Sequence, residues 1–112
     1  MISVTIYTRK SNNRNDYAGF SCKGHAGYDD YGHDIVCSAM SMLVINTINS
    51  IEKLTECKFK SDSNEKKGII NVTFEDELSD EARLLMDSMI LGINTVVEEY
   101  GKGYVTLTTK EV

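Results

Sequence analysis

Residues 2–9 alternate, with Ile2, Val4 and Ile6 on one face and Ser3, Thr5 and Tyr7 on the other, which is the period of a half-buried strand. Ser11-Asn12-Asn13-Arg14-Asn15-Asp16 is turn chemistry,. Residues 17–24 alternate again with Ala18, Phe20 and Cys22 inward, so the spacing predicts a β-hairpin,. From Ile35 to about Leu54 the period becomes helical. Val36, Met40, Leu43, Thr47, Ile51 and Leu54 form one stripe, and Ile35, Ala39, Met42, Val44, Ile45 and Ile48 widen it around most of the circumference. A helix that apolar needs cover on more than one side, from the sheet and then from a second helix or a partner subunit. Short strands are predicted at 58–62 and 69–74, with a polar turn at 64–68 between them,. Ser79 is the expected N-cap of a second helix, with Asp80 and Glu81 in its first turn, where the helix dipole favours acids,. Ala82, Leu85, Met86, Met89, Ile93, Val96, Val97 and Tyr100 follow at helical spacing, Gly101 and Gly103 end the run, and residues 104–108 alternate as a last strand,.

The resulting order, ββαββαβ, predicts an α+β fold: a mostly antiparallel sheet with two helices packed on one face. The 112 residues contain no proline, repeat or linker, so residues 1–112 are expected to form a single domain,. Net charge is −5 with no Lys/Arg run, which argues against direct nucleic-acid binding and favours a basic protein as partner. The N-terminus lacks a signal-peptide pattern. No 18-residue apolar run is evident, so no membrane span is expected. The three cysteines, Cys22, Cys37 and Cys57, are then expected as free thiols in a reducing cytoplasm.

The chemistry concentrates in sixteen residues, Gly24 to Ala39, which hold both histidines and one cysteine. With Asp34 as N-cap, Cys37 falls in the first helical turn, where free N–H groups and the dipole favour a thiolate. His25 stands at the end of the second strand. If the intervening loop folds back, it can serve Cys37 as general base and acid, while the N–H of Cys37 or Ser38 stabilises an oxyanion. Such a set cleaves an amide or peptide bond. Two alternatives stay open. Cys37 could be a small buried hydrophobe in a non-catalytic binding module. Or Cys22, His25, His33 and Cys37 could hold zinc, although their spacing matches no zinc-finger pattern and Cys22 should point away from His25. The favoured reading has no metal and no cofactor, and no CxxC pair suggests thioredoxin-type redox work.

Gly24-His25-Ala26, followed by Tyr31-Gly32-His33-Asp34-Ile35-Val36-Cys37-x-Ala39-x-Ser41, resembles the bacterial ribosomal-processing cysteine protease family, Prp. The size and element order are similar as well. The resemblance implies a cytoplasmic homodimer that removes a short N-terminal extension from large-subunit ribosomal protein twenty-seven, after a hydrophobic, aromatic-rich stretch. It implies Cys37 as nucleophile, His25 as general base, Asp34 as a supporting acid, and a mobile substrate loop carrying Gly24, Gly27, Gly32 and Ser38. The chain departs from the family pattern at Ser38, where a small apolar residue is usual, and at Asp29-Asp30, where a glutamate is.

Overall fold

The hairpin turns on two residues. Asn12 and Asn13 both have positive φ, 53° and 62°, the pair of left-handed conformations that a type I′ turn requires and that asparagine tolerates. The turn is therefore shorter than its polar sequence suggests, and residues 14–16 join a strand. The computed structural model describes residues 1–24, 31–64, 66–101 and 103–112, with the backbone alone for 31–34. Its elements are β1 (Ile2–Ser11), β2 (Arg14–Lys23), α1 (Tyr31–Leu54), β3 (Phe59–Asn64), β4 (Ile69–Phe74), α2 (Asp80–Tyr100) and β5 (Val105–Glu111). The sheet order is β3-β4-β2-β1-β5. The pairs β1–β2, β2–β4 and β3–β4 are antiparallel and β1–β5 is parallel, so the mostly antiparallel α+β architecture expected from the element order is the one observed.

Ile2, Val4 and Ile6 of β1 and Phe20 of β2 are buried in a single hydrophobic cluster with residues of both helices. From α1 the cluster takes Val36, Met40, Val44 and Ile51; from α2, Ala82, Met86, Met89 and Ile93. Both helices thus cover the same face of the sheet. They come close where Gly92 faces Leu43: a Cβ at Gly92 would lie 2.7 Å from Leu43 Cδ2. α2 is bounded as its sequence predicts. The Ser79 side chain accepts from the Ala82 N–H at the start, and the Gly101 N–H donates to the Val97 carbonyl at the end.

α1 departs from expectation at two points. It begins at Tyr31, not after Asp34, so Asp34 is its fourth residue and not its N-cap. Extending an existing helix needs no new nucleation, and a single Gly32 costs only about 1 kcal/mol in a helix interior. In addition, its Ile35–Leu54 portion is long and apolar enough to cross a membrane by length and composition, contrary to the expectation that no such run exists. In this fold its inward side chains, Val36, Met40, Val44 and Ile51, pack in the core.

β2 is also tied to α2 by polar groups. Asp16 is buried; one carboxylate oxygen accepts from the Leu78 N–H at 3.0 Å and the other from Arg83 Nη2 at 3.1 Å. Arg83 also donates to the Leu78 carbonyl and to Asp80. One residue on, the Tyr17 hydroxyl donates to the Asp87 carboxylate. Burial, and then this bond, raise the Tyr17 hydroxyl above its ordinary pKa. Replacing Asp16 with Ala strands a partly buried guanidinium and a buried N–H, and the expected loss is about 3 kcal/mol in urea unfolding. Asp16→Asn, which keeps an acceptor, should lose less. A loss below about 1 kcal/mol for Asp16→Ala contradicts the role assigned to this pair.

Candidate active site

Val36 and Met40 are each 1% exposed, and together they set the rotation of the first half of α1. Cys37 follows Val36 by about 100° around the axis. That step leaves it half-buried, packed against the core on one side and open on the other to a groove of about 370 Å³. Met40, Ser41, Val44 and Ile45 continue the α1 wall, and Ser61, Ser63 and Ile70 line it from β3 and β4. The lining is chiefly apolar with a few hydroxyls, a surface suited to an extended peptide with hydrophobic side chains.

Gly24 lies at the end of the groove where β2 finishes. Its φ is +122°, and a Cβ there would fall 2.1 Å from the Met1 carbonyl oxygen. Its N–H donates to the Gly68 carbonyl at 2.9 Å. Only glycine meets both conditions. Gly24 is therefore a pinned strand exit and not part of a loose loop. Gly32, also expected in that loop, lies in α1.

The remaining expected site residues separate into two groups. His25, Gly27 and the side chains of Asp34 and His33 lie outside what the structure describes. Ser38 is described and exposed, and it is not among the residues lining the groove. A further step of about 100° turns it away, and Ser41, one helical turn after Cys37, takes the groove side. Cys37 itself is the seventh residue of α1, not the third. At that depth it lies past the free N–H groups and outside the first turn, where the dipole acts. The i+4 spacing from Cys37 was a signal for Ser41; the β3 and β4 wall had no sequence signal, because it depends on strand order.

The two other thiols sit in poorer places for a nucleophile. Cys22 lines the same groove, and its thiol is pushed up to about 11, first by burial and then by the charge of Cys37. Cys57 lies in a second depression of about 510 Å³ beside Asp76 and Glu77. Burial, then Asp16 and Asp76, raise its thiol too. Among the described residues no three His, Cys, Asp or Glu side chains gather to hold a metal ion; the zinc set considered from the sequence falls half outside those residues.

A family model described as "Cysteine protease Prp" matches residues 1–106. The ribosomal processing cysteine protease Prp of Bacillus subtilis (strain 168) is 30% identical over 104 residues, spanning 89% of this chain and 90% of that protein. The protein of the same name from Staphylococcus aureus (strain Mu50) is 33% identical over 79 residues, spanning 70% of this chain and 74% of that one. The crystal structure of the essential S. aureus Prp with a substrate peptide superposes with a TM-score of 0.85 at 29% identity, covering 98% of this chain and 100% of that one. The same enzyme with a covalently linked product peptide gives 0.84 at 30% identity, with the same coverage.

The raised thiols make a pH-dependent prediction. A thiol whose folded pKa lies above the working pH is protonated and slow, and its thiolate fraction grows about tenfold per pH unit below that pKa. Between about pH 7 and about pH 9, iodoacetamide labelling of Cys22 should therefore accelerate about a hundredfold. At the lower pH, Cys37 should be the first of the three to label, as read by peptide mass spectrometry. Equal rates for Cys22 and Cys37 at neutral pH would contradict the assignment.

Proposed function

The chain belongs to the ribosomal-processing cysteine protease family, Prp, and is a cysteine protease; from that premise we propose that its substrate is the precursor of large-subunit ribosomal protein twenty-seven. It removes the N-terminal extension after a hydrophobic, aromatic-rich stretch. The reading of the chain as a non-catalytic binding module gives way to the family.

The Cys37 sulfur attacks the scissile carbonyl and His25 takes up the thiol proton. His25 then delivers that proton to the leaving amine, and water drawn in by the same ring hydrolyses the thioester. The observation that carries this reading is a half-buried cysteine held at the rim of an apolar groove by the core packing of its own helix. Two others support it. Gly24, the residue bonded to His25, lines that groove. The S. aureus relative has been seen with a covalently linked product peptide, as covalent catalysis would produce. Asp34 is assigned as the acid that steers His25.

The enzyme is further assigned as a homodimer in the cytoplasm. Met42 on α1 is 68% exposed and Leu84 and Leu91 on α2 are 67% and 69% exposed. These large apolar side chains point away from the core, on helices whose opposite faces are buried. The three free cysteines agree with a reducing compartment,.

Cys37→Ala should abolish cleavage of the precursor, followed by mass spectrometry. His25→Ala should slow it by about a hundredfold or more. Undiminished cleavage by the Cys37 variant ends the proposal. In sedimentation velocity the protein should run as a dimer that Leu91→Glu weakens; a monomer at every concentration overturns the dimer and leaves the chemistry standing.

A further inference from the structure

Cys22 has no part in the reaction just described, yet it lines the same groove as the nucleophile. It sits on β2, opposite Val4 of β1 and Ile70 of β4. Both Cys22 and Cys37 are free, half-buried and packed against the same core cluster, one on the sheet and one on the helix above it. Cys57 stands apart, in the other depression.

We propose that Cys22 and Cys37 form an oxidisable pair, which a peroxide joins into a disulfide that occupies the groove and removes its nucleophile. The regulatory consequence rests on Cys37 being that nucleophile. The Cys37 thiolate attacks one peroxide oxygen; the O–O bond breaks, an S–O bond forms, and the leaving hydroxide takes a proton to become water. The Cys22 sulfur then attacks the Cys37 sulfur. The S–S bond forms as the S–O bond breaks, and the departing hydroxide leaves as water with the Cys22 proton. Two thiols are oxidised by two electrons, and one peroxide is reduced to two waters. Burial keeps Cys22 protonated near neutral pH, so Cys37 meets the oxidant first and Cys22 acts as the resolving thiol.

The test treats the whole native chain with equimolar hydrogen peroxide, blocks remaining thiols with N-ethylmaleimide, and maps peptides by mass spectrometry. The chain should lose two hydrogens, carry its maleimide on Cys57 alone, and yield a peptide linking Cys22 to Cys37 that dithiothreitol separates. Precursor cleavage by the treated enzyme should fall and then return on reduction. In Cys22→Ser given excess peroxide, a second peroxide carries the Cys37 sulfenic acid on to sulfinic acid, and dithiothreitol should restore about twofold less activity or worse, relative to that variant's own untreated level. Sulfinic Cys37 beside an alkylated Cys22 in the unsubstituted chain overturns the proposal, as does a link from Cys37 to Cys57 or to a second chain. Because the link is read by mass, it is scored whether or not the precursor is cut. A reduced enzyme that forms the link yet never cleaves the precursor refutes the substrate assignment and not the pair.

Discussion

The rotation of α1 about its own axis is the setting on which the site depends. Val36, Met40 and Val44 are buried against the sheet and α2, and turning the helix to expose any one of them removes a large apolar side chain from the core. Burial of one such side chain contributes about 1.5–3 kcal/mol, so three of them make the orientation stiff. Cys37 inherits that stiffness without contributing much to it. Its angular place, about 100° round from Val36 and past the buried Met40, leaves the sulfur at the seam between packed interior and open groove. A thiol deeper in the stripe would be out of reach of a peptide; one on the far face would have no wall opposite it.

The second fixed point is the far end of β2. Gly24 is held by the close approach of the Met1 carbonyl and by its bond to Gly68, so the chain leaves the sheet at a defined place beside the groove. At the other end of the same strand, Asp16 binds the entry to α2. β2 thus runs between two anchors, one serving stability and one serving the site. The β3 and β4 wall is less deeply packed: β3 is an edge strand whose residues are largely exposed. A protein that must admit a peptide can leave that side of the groove open while α1 and β2 stay fixed.

Much of the frame was readable from periodicity. α2 runs from its serine cap to its glycine stop because both ends carry side-chain or backbone chemistry that acts locally. β4 spans the residues its alternation marks. The beginning of α1 was misplaced for the converse reason. Asp34 has the composition of a cap, but a helix already anchored by Val36 and Met40 extends past it to Tyr31 at little cost. The six-residue polar run after β1 likewise hid a turn of two asparagines, because Asp16 is buried by a partner 67 residues away, Arg83.

From the order of residues alone came the element types, the mixed fold class and the expectation that a thiol works with an imidazole twelve positions upstream. All of these follow from local propensity, from hydrophobic period and from a motif. What only tertiary structure decided is which side of α1 faces the groove, that Ser41 and not Ser38 lines it with Cys37, that β3 and β4 form the opposite wall, and that Cys22 and Cys37 border one groove. These depend on strand order and on the rotation of a helix against a sheet. Both are set by contacts between residues far apart in the chain, and such contacts leave no mark in any short stretch of it.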